Sequence, residues 1–144
     1  MRTRSLVRGF TLLELLVVMT VTGVILALVL PRFVTLRDAR SVRGAVADVA
    51  GGFSLARQVA IAQRSAVALV FDTAVGLVQI RSANGPIRRS NLAQSFGVGF
   101  SANRDSAVFD ARGLGYGVSN LTVIVRRGNF VDTLTMSRLG RVRW

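Results

Sequence analysis

The stretch that decides the fold is Phe10 to Leu30, FTLLELLVVMTVTGVILALVL, in which Glu14 is the single charged residue. As an α-helix with about 1.5 Å of rise per residue it would be about 31 Å long, enough to cross the hydrocarbon core of a bilayer. A short leader precedes it and carries Arg2, Arg4 and Arg8. The pattern predicts a transmembrane helix whose basic amino-terminal flank stays in the cytoplasm.

A cleaved secretory signal peptide is the competing interpretation of this stretch, because it also has a basic start and an apolar run. The apolar run is long for such a peptide, and no Ala-x-Ala site follows it. Ala27-Leu28-Val29 is a poor substitute for that site. A retained membrane anchor is therefore favoured.

The composition excludes most catalytic chemistry. The 144 residues are 51% hydrophobic, with a mean hydropathy of +0.48, and all 19 basic residues are Arg, which gives a net charge of +12. The chain has no Cys, no His and no Lys. Disulfides, thiolate nucleophiles, Cys/His metal sites and imidazole bases are thereby excluded together. The sequence predicts one small domain that is not an enzyme and needs no cofactor and no metal.

Beyond Pro31 the apolar residues become periodic, as in an amphipathic helix. They advance in steps of three and four residues through Val42, Val46, Val49, Phe53, Ala56 and Ala60. The spacing predicts a stalk helix over residues 31–64. The pair Gly51-Gly52 leaves a break in that helix as an alternative.

Residues 65–144 alternate with a period of two and predict an antiparallel β-rich head. Hairpins are expected from Ala66 to Arg81 around Asp72-Thr73-Ala74, and from Leu121 to Arg138 around Arg127-Gly128-Asn129. The sequence around Asn84-Gly85-Pro86 predicts a loop, and the alternation of Phe96, Val98 and Phe100 predicts a strand. A last short strand is expected from Arg141 to Trp144. The fold class is therefore α+β, a long and partly transmembrane helix followed by this head.

Two further patterns are interpreted as local structure. The glycine-rich run Gly113-Leu114-Gly115-Tyr116-Gly117 lacks the following helix and Lys of a phosphate-binding loop, so it predicts a turn. Asp105 and Asp110 lack the dense set of oxygen ligands that a calcium site needs, so they are expected to be solvated or turn-forming.

The leader, and Gly9 followed by Phe10-Thr11-Leu12-Leu13-Glu14, resemble the cleavage and methylation signal of type IV pilins and type II secretion pseudopilins. The resemblance implies that a prepilin peptidase cuts between Gly9 and Phe10 and that the new amino group of Phe10 is methylated. It also implies that Glu14 pairs with the amino terminus of a neighbouring subunit during assembly. The alternative for Glu14 is a hydrated position near the membrane interface.

Gly23 and Pro31 also fall where such pilins have a Gly and a Pro, which limit a stretch that can lose helicity in filaments. The alternative for Pro31 is a simple helix kink at the membrane exit.

The carboxyl-terminal part narrows the resemblance. Phe109-Asp110-Ala111-Arg112-Gly113 and the terminal Ser137-Arg138-Leu139-Gly140-Arg141-Val142 are similar to elements of the GspH/FimT group of pseudopilins and minor pilins. This resemblance implies a structural subunit, anchored in the bacterial inner membrane with a periplasmic head. Such a subunit is assembled with other pilin or pseudopilin subunits near the tip of a type II secretion pseudopilus or a type IV pilus.

A second function stays open for the basic tail. Gly140-Arg141-Val142-Arg143 resembles the Gly-Arg-x-Arg tail through which FimT-type minor pilins are thought to bind double-stranded DNA for uptake. Arg126, Arg127 and Arg138 would extend this basic surface. In an extended tail Arg141 and Arg143 share a face on which they could contact phosphates. An acidic neighbouring subunit is the other partner that such a surface fits.

Overall fold

The computed structural model describes residues 9–116, 121–137 and 141–144 of the chain. Its helix α1 spans Leu12–Gln63 without interruption, which confirms the long amino-terminal helix and excludes a break at Gly51-Gly52. The helix begins after Thr11, whose Oγ1 accepts the Glu14 N–H at 3.1 Å. This is an N-cap contact, and the acidic side chain of Glu14 in the first turn suits the positive end of the helix dipole.

The chain up to Leu36 forms one structural unit, in which the described side chains are exposed. Large apolar residues cover its surface from Leu12 to Leu36. The helix is long and apolar enough to cross a membrane, and none of its most apolar window is buried. The hydroxyl of Thr20 donates to the Val17 carbonyl at 2.8 Å, and that of Thr22 to the Val18 carbonyl at 2.7 Å. These polar groups therefore need no water.

The chain from Arg37 onward forms the second unit, and it contains the hydrophobic core. One face of α1 is buried in it, formed by Val42, Ala45, Val46, Val49, Ala50, Gly52, Phe53, Ala56 and Ala60. Each member of the predicted apolar stripe is among them. The stripe is buried because residues three and four apart lie on one side of a helix and face the sheets together.

Two antiparallel sheets complete this unit. The first has five strands in the order β3-β2-β1-β5-β6, and the second has four in the order β4-β7-β8-β9. The bounds are β1 Val67–Asp72, β2 Leu77–Ser82, β3 Gly85–Asn91, β4 Gly99–Ala102, β5 Ser106–Phe109, β6 Gly115–Tyr116, β7 Leu121–Arg127, β8 Phe130–Met136 and β9 Val142–Arg143. The antiparallel β-rich head predicted from the alternation is confirmed.

Four phenylalanine rings connect the helix with both sheets. The ring of Phe53 on α1 lies 6.0 Å from that of Phe71 on β1 and 6.4 Å from that of Phe109 on β5, measured between centroids. Phe71 in turn lies 6.4 Å from Phe100 on β4, the first strand of the second sheet. These aromatic contacts fix the two sheets on the helix through one continuous core.

Two predictions for the head need correction. The expected loop at Asn84-Gly85-Pro86 is present only in part: Asn84 lies in the turn after β2, whereas Gly85 and Pro86 begin an edge strand, β3, where Pro86 is tolerated because an edge leaves backbone groups unpaired. The expected strand at Phe96 is the end of a short helix, α2, Leu92–Phe96. Asn91 caps α2 through a hydrogen bond from the Gln94 N–H, and Gly97 ends it in the left-handed conformation. The capping residues Asn91 and Gly97 mark the two ends of α2 in the sequence. An alternation of only three residues is too short to distinguish a strand from a helix.

Both predicted hairpins are present with shifted bounds. In the first, the Asp72 carboxylate accepts the N–H groups of Ala74 and Val75, so β2 begins only at Leu77. In the second, β7 continues through Arg127 and β8 ends at Met136.

Candidate assembly and anion-binding sites

The residues of the predicted cleavage and methylation site lie at the exposed start of the described chain. Gly9, Phe10, Thr11 and Glu14 line an open cleft there. Phe10 is 80% exposed. The Glu14 carboxylate makes no hydrogen bond or ion pair within the described residues, although Thr11 satisfies its backbone N–H.

Gly23 and Pro31 both lie inside α1, on the exposed apolar part. A Cβ added at Gly23 would meet no atom within 4 Å. The surroundings of Gly23 in this chain therefore do not require a glycine. Loss of helicity between these two residues concerns the assembled filament and stays a prediction.

The structure brings Arg126 and Arg143 to the same outer face of the four-stranded sheet. Arg126 pairs with Val131, and Arg143 pairs with Thr135, in the β7–β8 and β8–β9 ladders. Both partners lie on the side opposite to the buried Leu134 and Met136. Neighbouring strands lie about 4.8 Å apart, and a strand rises about 3.4 Å per residue. With these spacings the register places the backbones of the two arginines about 17 Å apart.

The tail itself is held at the edge of this sheet. Val142 packs against the core, while Arg141, Arg143 and Trp144 are exposed. Ser137 and Arg141 are joined by a hydrogen bond, in which the Ser137 N–H donates to the Arg141 carbonyl at 2.9 Å. Arg138, a further member of the predicted basic surface, lies outside the described residues.

Arg127 has a different environment from the other arginines of that surface. Its Nε donates to Asp38 at 2.7 Å, and its Nη1 donates to the Ser41 hydroxyl at 3.1 Å and to the Phe96 carbonyl. Its side chain is 22% exposed. The guanidinium is thus engaged inside the head, where it joins β7 to α1 and to the end of α2.

Sequence reasoning did not identify the partners of the two acidic residues of the stalk. Asp38 pairs with Arg127, and Asp48 accepts hydrogen bonds from Arg88 and, at 2.5 Å, from the Ser90 hydroxyl. The sequence contains a pattern that could have indicated these pairs. Asp38 lies one helical turn before the buried Val42, and Asp48 directly precedes the buried Val49. An acid at the edge of an apolar stripe has to find a partner on the element packed against it.

Asp110 forms a turn, as the sequence predicted. Its Oδ1 accepts the N–H groups of Leu114, at 2.8 Å, and Arg112, at 2.9 Å. The Leu114 N–H, and then the Arg112 side chain and N–H, lower the pKa of this carboxyl below its ordinary value of 3.8. The contacts are local, and the residue serves the β5–β6 connection.

The amino-terminal segment matches a family model described as the prokaryotic N-terminal methylation motif, over residues 4–30. The fold matches two crystal forms of the type IV minor pilin FimU of Pseudomonas aeruginosa strain PAO1. The P21 form has a TM-score of 0.60 at 18% identity, covering 72% of this chain and 87% of that chain. The P65 form has a TM-score of 0.57 at 18% identity, covering 70% and 90%. No curated protein matches the chain.

The chain thus combines a segment similar to the prokaryotic N-terminal methylation motif with a fold similar to that of a type IV minor pilin. Its architecture is that of a pilin, a long amino-terminal helix followed by antiparallel sheets, and the solved structure to which it is similar is a minor pilin. The motif implies processing by a prepilin peptidase and assembly with other pilins.

Proposed function

We propose that this protein is a minor pilin or pseudopilin, a structural subunit that is cut between Gly9 and Phe10, methylated at Phe10 and incorporated near the tip of a filament. The filament is a type II secretion pseudopilus or a type IV pilus. Before assembly the protein is held in the inner membrane by its helix, with the head in the periplasm. The resemblance to the GspH/FimT group supports this assignment within the pilin-like class.

The observation that carries the proposal is an apolar helix surface with one unsatisfied acid. From Leu12 to Leu36 the helix exposes large apolar side chains, and its Thr20 and Thr22 hydroxyls are satisfied by the helix itself. The Glu14 carboxylate is left without a partner among the described residues. In a dry environment it needs a cation. The new ammonium group at Phe10 of an adjacent subunit supplies one.

Processing is tested by the mass of the protein isolated from membranes of its native host. A mature chain should begin at Phe10 and carry one extra methyl group on its amino nitrogen. A Gly9 variant with a large side chain should remain at full length while still inserting into the membrane. A wild-type chain that still begins at Met1 in that host would contradict the proposal.

Assembly is tested by two variants at the start of the helix. One removes the charge of Glu14, and the other removes the capping hydrogen bond from the Glu14 N–H to Thr11. Glu14→Gln removes the charge and keeps the shape, so membrane insertion should persist while filament incorporation falls at least tenfold. Thr11→Ala is the matched control, because it removes the N-cap oxygen and keeps the carboxylate; its incorporation should stay near wild type. Equal loss in both variants would mean that the loss reflects damage to the first helical turn and not the missing Glu14 charge, and would contradict the proposal.

A second candidate is a DNA-binding minor pilin that uses the basic tail. The observation that favours it is the way β9 is held, with Val142 against the core and Arg141, Arg143 and Trp144 exposed. With Arg126 on the same sheet face as Arg143, the exposed arginines form a surface suited to phosphates. Binding of this kind is independent of sequence and weakens as salt rises. Arg127 is left out, because its guanidinium is engaged by Asp38.

A soluble fragment that begins at Arg32 tests this candidate with unrelated duplexes in a salt series. Wild type should bind with a micromolar dissociation constant at low salt, and Arg141→Gln with Arg143→Gln should flatten the slope of log affinity against log salt by about two. The control pair Arg81→Gln with Arg89→Gln removes the same charge from exposed positions on the other sheet. If both pairs have the same effect, the tail is not a DNA site.

A further inference from the structure

The exposed surface of the stalk becomes basic beyond Leu36, after a single exposed arginine, Arg32, among the last apolar residues. Large apolar residues are exposed as far as Leu36, and Arg37, Arg40 and Arg43 follow at intervals of three residues. All three are exposed. Steps of three residues turn a helix by about −60°, so the three side chains lie within an arc of about 120°. We call these three residues the basic ridge.

The acidic residues of the same segment do not neutralise the ridge. Asp38 lies within it in sequence but faces the head, where Arg127 Nε is 2.7 Å from its Oδ1. Asp48 also faces the head, and it is engaged by Arg88 and Ser90. Each of these acids is 18% exposed. The fold thus takes up both negative charges of the stalk internally and leaves its positive charges outside.

No described residue forms a hydrogen bond or an ion pair with the ridge. Like charges at this spacing repel one another. An anion bound along the ridge would remove that repulsion. The same segment of a second copy would not, because it carries the same ridge.

We propose that the basic ridge binds the phosphate groups of anionic phospholipids at the surface of the membrane that holds the protein. The inference rests on the membrane anchor of the proposed function. The ridge is the first exposed charged segment after the apolar surface ends at Leu36. Arg37 directly follows Leu36 on the uninterrupted helix α1.

The dimensions of the headgroup layer fit the ridge. Arg37 and Arg43 are separated by about 9 Å along the helix axis, at about 1.5 Å per residue. The polar layer on each side of a bilayer is about 5–8 Å thick, and an arginine side chain reaches several ångströms beyond its backbone. The ridge is therefore comparable in length to this layer together with the reach of an arginine side chain.

The test uses the full chain in proteoliposomes of phosphatidylcholine with one fifth phosphatidylglycerol. Spin-labelled forms of the two lipids are compared by electron paramagnetic resonance, which measures the preference of the protein-contacting lipids for the anionic headgroup. Because an arginine near an anionic surface gains about fivefold in binding, Arg37→Gln, Arg40→Gln and Arg43→Gln together should reduce the phosphatidylglycerol preference by about half or more. The leader arginines are present in each variant and cancel in the comparison.

The matched control is Arg81→Gln, Arg89→Gln and Arg104→Gln, which removes three exposed and unpaired charges elsewhere in the head. It should keep the wild-type preference. An unchanged preference in the ridge variant would overturn the proposal, as would an equal loss in the control. A ridge variant that loses filament incorporation while keeping its lipid preference would assign the ridge to an acidic subunit instead. Resistance to alkaline extraction reports separately on the anchor, so failure of the anchor is distinguishable.

Discussion

Arg126 and Arg127 are adjacent in β7 and have opposite surroundings. Arg126 is exposed on the outer face of the sheet, whereas the guanidinium of Arg127 contacts Asp38, Ser41 and the Phe96 carbonyl. Alternation along a strand explains the difference, because successive side chains point to opposite faces. Gly97 belongs to the same cluster: its φ of +63° ends α2, and a Cβ there would lie 2.7 Å from Arg127 Nη1.

Replacement of Arg127 by Ala should lower the free energy of unfolding by about 2 kcal/mol, since it leaves a largely buried carboxylate and a carbonyl without their donor. Arg126→Ala is the neighbouring control and should change it by less than about 0.5 kcal/mol. Urea unfolding of the fragment that begins at Arg32 measures both. A similar small effect of the two substitutions would mean that the Arg127 contacts contribute little.

Helix α1 carries three glycines in its second half, and their surroundings differ. At Gly44 an added Cβ would lie 2.9 Å from Cε1 of Phe96, so the absence of a side chain admits the ring at the end of α2. At Gly51 nothing lies within 4 Å. A glycine in a helix costs about 1 kcal/mol relative to Ala through backbone entropy. Close packing of α2 thus accounts for Gly44, and nothing in the structure accounts for Gly51.

The substitution Gly51→Ala should raise the free energy of unfolding by up to about 1 kcal/mol, because the propensity gain is unopposed. Gly44→Ala should gain less or lose stability, because its Cβ has to displace the Phe96 ring. Thermal unfolding of the two variants, side by side, checks the order. A larger gain at Gly44 than at Gly51 would show that the ring moves away freely.

At the scale of the whole molecule, the core is closed within the second unit. Every described buried residue lies between Val42 and Met136, on α1, on both sheets and around α2. The apolar surface up to Leu36 adds nothing to this core, since none of its side chains is buried. The head therefore has the contacts it needs to fold without the membrane segment, and Phe53 is the residue through which the helix contacts both Phe71 and Phe109.

The fragment that begins at Arg32 should accordingly unfold in a single transition. Phe53→Ala should lower its free energy of unfolding by about 3–5 kcal/mol, through the lost burial and the cavity left in the core. Phe130→Ala removes the same ring from a position that is 36% exposed, and should cost clearly less. Separate transitions for the helix and the sheets would contradict a single core.

The sequence alone determined the features that depend on neighbours in the chain. The motif from Gly9 to Glu14, the apolar run, the amphipathic stripe and the hairpin of β7 and β8 were all predictable, because local periodicity and turn residues encode them. The α+β class follows from their order. The edge strand β3 and the helix α2 were not predictable, because the first starts in a turn signal and the second is only one turn long.

The tertiary structure decided which charges are available to partners. Asp38 and Arg127 are 89 residues apart, and Asp48 and Arg88 are 40 apart, so no local pattern links them. Folding the sheets onto α1 buries both acids beside arginines of the head. Because both acids are paired in this way, the basic ridge, Arg126, Arg141 and Arg143 remain exposed and without an acidic partner among the described residues. The physical reason is that desolvation forces buried charges to pair, while a solvated arginine needs no partner within its own chain.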